Sequence, residues 1–112
     1  MDLNFEKTDK ALVLNIVGRL DTGNYEQASE AINQKIDEGA KSIIADLSLM
    51  DYISSSGLRV FLMALKRLKA LGGQIILCSI QPKIQEVFEI SGFNTLFIIT
   101  KNLEAASNKI IK

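Results

Sequence analysis

Apolar positions along the chain keep two alternating rhythms. The stretch Ala11 to Val17 is dense in aliphatic and β-branched residues and stops at Gly18, which predicts a strand. A shorter strand around Leu3 to Lys7 is expected to pair with it through the polar turn Thr8-Asp9-Lys10. Beyond Asp21-Thr22-Gly23-Asn24 the spacing changes: Tyr25, Ala28, Ile32 and Ile36 recur every three or four residues, which puts them on one helical face, and Gly39 supplies the stop. Ser42 to Leu47 reads as the next strand, and Ser48 to Ile53 as a loop.

The clearest helix follows. Leu58, Phe61, Leu62, Leu65, Leu68 and Leu71 form its apolar stripe, with Arg59, Lys66, Arg67 and Lys69 off it, three serines at its mouth and Gly72-Gly73 past its end. Gln74 to Cys78 is a short strand of the buried kind. Pro82 stands where a first helical residue would, Ile84, Val87, Phe88 and Ser91 share a face, and Gly92 closes that helix. Leu96 to Ile99 is the last expected strand, and Asn102 can cap a final helix carrying Leu103, Ala106 and Ile110 on one side.

The expected order is β-β-α-β-α-β-α-β-α. Alternation of this kind calls for an α/β fold with right-handed crossovers and a mixed, mostly parallel central sheet, edged by the antiparallel N-terminal hairpin and packed with about four helices. At 112 residues one domain spanning 1–112 is expected, with no room for a separate catalytic module. Apolar residues make up 47% and charged residues 23%, which is too hydrophobic for disorder.

Composition then narrows the chemistry. With no histidine the chain can build neither a Ser-His-Asp nor a Cys-His pair, nor the usual imidazole-containing metal sites, so neither catalytic residues nor metal nor cofactor are expected. The single cysteine, Cys78, lies in an aliphatic run and reads as a buried strand residue. Thirteen basic and thirteen acidic residues cancel and are interspersed, which argues against a nucleic-acid partner. The start MDLNFEKTDK has no leader-like apolar segment, and no apolar run approaches the ~18 residues that would span a bilayer. A cytoplasmic protein without membrane insertion is expected.

Three segments could carry function. Asp51 to Leu58 holds Ser54-Ser55-Ser56-Gly57 at a helix N-terminus, where unpaired N–H groups and the helix dipole tolerate a phosphate; one cap needs one hydroxyl, and three leave others free. Gly18 to Thr22 ends a strand and opens a helix, with Asp21 or Thr22 as the expected N-cap. Gly72-Gly73 lacks the spacing of a phosphate-cradling loop. Asp46, Ser79 and Lys101 could imitate the phospho-accepting centre of a receiver domain, but only Asp21 stands where a magnesium-holding acid pair would be needed. A magnesium-dependent nucleotide hydrolase on Asp21 or Asp46 fails for want of a base, metal cluster or phosphate loop.

Taken together, Gly18-Arg19-Leu20-Asp21, Asp46-Leu47-Ser48 leading into Tyr52-Ile53-Ser54-Ser55-Ser56-Gly57-Leu58, Leu71-Gly72-Gly73 and Ile90-Ser91-Gly92-Phe93 resemble a STAS domain, specifically the stand-alone bacterial anti-sigma factor antagonists. The resemblance covers almost the whole chain and implies the STAS fold. It implies a non-enzymatic protein that binds an anti-sigma factor when unphosphorylated, so freeing a sigma factor. The anti-sigma factor's serine kinase activity switches the antagonist off, and a serine phosphatase resets it. The family pattern Asp-Ser-Ser/Thr-Gly-Leu puts the acceptor at Ser55, with Ser56 second. Partner contacts are expected at Asp21, Thr22, Ser54, Ser55, Ser56, Gly57 and Arg59. Two positions depart from the pattern: Ser54 stands where aspartate is usual, and Arg19 where an acid is frequent. The alternative is an unphosphorylated STAS scaffold subunit, as in a lipid-transport ABC system.

Overall fold

A computed structural model describes residues 1–111; the expected span 1–112 includes Lys112, which lies outside them. The chain runs β1 (Asp2–Lys7), β2 (Leu12–Leu20), α1 (Tyr25–Asp37), β3 (Ser42–Asp46), β4 (Met50–Ile53), α2 (Ser55–Ala70), β5 (Gln74–Cys78), α3 (Pro82–Ser91), a 3-10 turn over Phe93–Thr95, β6 (Ile98–Thr100) and α4 (Leu103–Lys109). The strands form one mixed sheet in the order β1-β2-β3-β5-β6, with β4 paired to β2 off that path. β1 is antiparallel to β2, and the other pairings are parallel, as the alternation of strands and helices requires.

The main core lies between the sheet and α1, α2 and α3. Leu14, Ile16, Ile43, Ala45, Ile75 and Leu77 point from the strands toward Ala28, Ile32, Phe61, Ala64, Leu68 and Phe88 on the helices. A smaller cluster on the opposite face sets Val13, Ile44, Ile76 and Cys78 under Ala106 of α4. No polar or charged residue is buried among the described residues, so the fold is held by apolar burial and close packing. Both long helices end as their glycines predict. Gly39 and Gly72 take positive φ, and the pairs Gly39–Ile36, Ala40–Lys35, Gly72–Lys69 and Gly73–Leu68 close the last turns by N–H to carbonyl bonds. Gly73 is needed for a second reason: a Cβ there would lie 2.2 Å from the Lys41 carbonyl oxygen.

Several sequence expectations need correction. Residues 48–53 are not a loop throughout, because Met50–Ile53 forms β4. The register passes from Gly18 opposite Met50 to Arg19 opposite Tyr52, so Asp51 is the extra residue of a bulge and Tyr52 joins it on the exposed side. β2 does not stop at Gly18; with φ +90° that residue bends the strand, whose first part pairs β3 and whose last residues pair β4. The last strand begins at Ile98 rather than Leu96. The 3-10 turn after Gly92 takes up the preceding residues, leaving Leu96 exposed and Phe97 packed edge-on against Phe88. Two residues expected on the apolar stripe of α2 sit differently: Leu62 is half-buried, and Leu71, beyond the last turn, is exposed.

Candidate functional site

The start of α2 is fixed from three directions. The Ser54 N–H donates to the Leu20 carbonyl at 3.0 Å, which ties the end of β4 to the end of β2. The Ser54 hydroxyl oxygen accepts from the Gly57 N–H at 3.2 Å, capping the helix. A Cβ on Gly57 would lie 2.8 Å from Ile53 Cγ1, 2.9 Å from Leu20 Cγ and 3.0 Å from the Leu20 oxygen, so glycine lets the helix seat directly on the two strand ends.

The three serines therefore differ. Ser54 is spent on the cap, and because serine and aspartate cap helices about equally well, its departure from the family pattern keeps that role. Ser55 is exposed and its hydroxyl has no hydrogen-bond partner among the described residues; Ser56 is half-buried. Arg59 is exposed one helical turn beyond Ser55, on the same side of α2, and forms no ion pair within the described residues. The first turn of α2 holds no acid, so the positive end of its dipole is uncompensated by side chains.

The loop after β2 lies beside this helix start, since Leu20 is the residue that receives Ser54. Neither Asp21 nor Thr22 is the N-cap expected for α1. That position is Asn24, and its side chain makes no capping bond. Instead the Asn24 Oδ1 accepts from the Asp21 N–H at 2.9 Å, its Nδ2 donates to the Arg19 carbonyl at 2.9 Å, and the Asp21 Oδ1 accepts from the Gly23 N–H at 2.9 Å. These local bonds fold the loop on itself. Asp21 is half-buried within it, and Thr22 is exposed.

One residue that the sequence pattern does not place in the site adjoins it. Tyr52, on β4, is 40% exposed and lies under the Arg19 guanidinium, 4.0 Å from ring centroid to Cζ. Arg19 is also held 3.5 Å from the Asp21 carboxylate. Spacing gave no signal for it, because the bulge at Asp51 breaks the strand alternation that would have sorted buried from exposed positions.

Of the residues that imitated a receiver centre, Asp46 and Ser79 make local contacts. The Asp46 Oδ1 accepts from the Ser48 N–H at 3.1 Å, closing the turn into β4. Cys78, beside it on β5, is fully buried; burial, with the Asp46 charge in addition and against a hydrogen bond from Ser79, pushes its thiol from 9.0 up to about 11. That thiol is neutral at physiological pH and lacks the thiolate character that reactivity needs. No helix among the described residues is long and apolar enough to cross a membrane, and no group of three or more His, Cys, Asp or Glu side chains is placed to hold a metal ion.

This arrangement, an exposed hydroxyl at a capped helix mouth beside a self-bonded loop, sits in a chain whose residues 2–106 match the STAS domain model. The chain belongs to the STAS domain family. It is 38% identical over 107 residues to BtrV of Bordetella bronchiseptica, described as an anti-sigma factor antagonist, with 96% of this chain and 92% of that protein covered. Its fold is similar to that of a Thermotoga maritima protein described in the same terms, at a TM-score of 0.92, 20% identity and coverage of 96% of this chain and 93% of the other. It is also similar to the Bacillus cell fate determinant SpoIIAA in its phosphorylated form, at a TM-score of 0.75, 27% identity and coverage of 98% and 100%.

Proposed function

We propose that this STAS domain is an anti-sigma factor antagonist of the bacterial cytoplasm, switched by phosphorylation of Ser55. Unphosphorylated, it binds an anti-sigma factor and frees a sigma factor; the anti-sigma factor's serine kinase activity modifies Ser55 and ends the complex, and a serine phosphatase restores it. The reading draws on relatives named as antagonists and on the SpoIIAA relative having a phosphorylated form. The observation that carries it is the division of labour among the serines: Ser54 caps α2, while the Ser55 hydroxyl is exposed and unbonded at the same helix mouth.

A phosphate on Ser55 adds about −1.5 to −2 charges where the helix dipole and Arg59 stabilise an anion, so the fold itself need not change. The same dianion must be desolvated when a partner closes over it, and each ~1.4 kcal/mol so lost weakens the complex tenfold. Asp21, Thr22, Ser54, Ser55, Ser56 and Arg59 form the contact surface in this reading, with Tyr52 beside them; Gly57, expected as a contact, is buried against Leu20 and Ile53 and supports that surface from beneath.

Incubation with its cognate anti-sigma factor and ATP should place one phosphate on Ser55, mapped by mass spectrometry and abolished in Ser55→Ala. Ser55→Asp should weaken the complex while leaving Tm within a degree or two. A phosphate reproducibly on Ser54 or Ser56, or undiminished binding by Ser55→Asp, sinks the assignment. An unmodified chain constitutively bound to a transporter ATPase and permease would replace it with the scaffold role.

A further inference from the structure

Helix α2 carries four bases and no acid, and their placement is not random. At about 100° per residue, Arg59, Leu62, Lys66 and Lys69 all fall within about 40° of the line through Ser55, and the row runs about 21 Å along the helix. Arg59, Lys66 and Lys69 are exposed, and Leu62 is half-buried in the middle. The fourth base, Arg67, lies about 120° round and turns to α1, where it bonds Asn33 and pairs with Asp37. Arg59, Lys66 and Lys69 have no ion-pair partner among the described residues. A chain with thirteen charges of each sign thus sets three unpaired positive ones in a single row that begins at Ser55.

We infer that this row is a docking track for an acidic segment of the anti-sigma factor, laid along α2 with an apolar side chain over Leu62. Charge complementarity argues for this occupant: a row of three like charges gains most from a partner carrying carboxylates at matching intervals, and such pairing governs encounter rate and register. The inference rests on the proposed function and deepens it, because it says how the switch is read. A phosphate on Ser55 would stand one turn from Arg59 and offset up to about two of the three charges on the track. The modification would then repel the acidic segment in addition to obstructing contact at the helix mouth.

The test is the affinity of the purified, unphosphorylated chain for its cognate anti-sigma factor at low and high salt, by surface plasmon resonance. Lys66→Glu with Lys69→Glu is expected to bind about tenfold more weakly at low salt, chiefly through a slower on-rate, with the gap closing as salt rises. Lys7→Glu with Lys10→Glu, an equal charge change on the β1–β2 turn, should bind as the unmodified chain does. Lys66→Gln with Lys69→Gln, which removes charge without adding repulsion or opposing the helix dipole, should fall between, and the Tm of each variant checks folding. Equal affinity of the Lys66/Lys69 variants and the parent chain, or equal weakening by the Lys7/Lys10 pair, overturns the track while leaving the Ser55 switch standing. Failure of the parent chain itself to bind overturns the proposed function and the track with it. Binding to phosphatidylglycerol vesicles that is lost in the Lys66/Lys69 variants, with the protein complex unaffected, would assign the row to a lipid surface instead.

Discussion

Substitution at Ser54 separates the scaffold of the helix mouth from its chemistry. The Ser54 hydroxyl holds the Gly57 N–H at 3.2 Å, and Gly57 is buried against Leu20 and Ile53, so water cannot readily replace a lost cap. Removing a serine cap costs about 1 kcal/mol, and the burial of the orphaned N–H puts Ser54→Ala at about 1–2 kcal/mol. For a chain of this size each kcal/mol lowers Tm by about 4 °C. Ser54→Asp keeps an acceptor in the same place and adds a negative charge at the positive end of the dipole, so it should equal or exceed the parent chain by up to about 1 kcal/mol. Ser54→Gly orphans the same Gly57 N–H and should lose about 1 kcal/mol, less than alanine because glycine is itself a tolerated N-cap residue. The expected order of stability is Asp at or above Ser, then Gly, then Ala. Urea unfolding followed by far-UV circular dichroism reads it as a shift in midpoint at constant m. An alanine variant as stable as the parent, or an aspartate variant below alanine, would refute the capping role.

Gly73→Ala should be among the most damaging single changes, at roughly 3 kcal/mol or more, because its Cβ would meet the Lys41 carbonyl oxygen at 2.2 Å and backbone on both sides is fixed by the Gln74 N–H to Lys41 bond; a thermal melt near that of the parent would overturn this. Cys78 predicts a loss of stability in alkali. Its thiol titrates at about 11 in the fold against 9.0 unfolded, so its contribution is complete below pH 9 and disappears as pH rises toward 11, about 2–3 kcal/mol in all. The fall over that interval should be shallower in Cys78→Ala, and equal slopes in the two proteins would contradict it.

Most of the architecture was legible because burial and periodicity agree in it. Ile32 and Ile36 of α1, Leu58, Phe61, Leu65 and Leu68 of α2, and the runs of β3 and β5 are all buried, and each was marked by spacing or by an unbroken apolar stretch. What escaped were places where the backbone leaves a simple period. β4 has only four residues and shows Asp51 and Tyr52 together on the outside, so neither a strand nor a helix rhythm survives in it. The run from Leu96 to Ile99 is uniformly apolar, yet the 3-10 turn after Gly92 sends Leu96 outward and Phe97 inward, a choice that Thr95 reinforces by donating its hydroxyl to the Gly92 carbonyl at 2.8 Å. The caps divided in the same way. Serines before a strongly amphipathic helix identified the mouth of α2, whereas at α1 the Asp21 and Asn24 side chains bond the loop backbone instead of the first helical turn.

The features that were hardest to read are those that build the site. β2 must bend at Gly18 to leave β3 and reach β4, and only that bend brings the Leu20 carbonyl to Ser54 and sets the loop of Asp21 beside the start of α2. The resulting junction is rigid: Gly57 leaves no space between helix and strands, and the cap closes the first turn. A group added at Ser55 therefore has no slack backbone to move and no buried pair to break, which separates its effect on binding from its effect on folding. In a chain of zero formal net charge the added charge is felt most where unpaired bases already gather, along the outer face of α2. A switch built this way can pass between two binding states without passing between two folds, provided that a partner covers both the hydroxyl and the row of bases behind it.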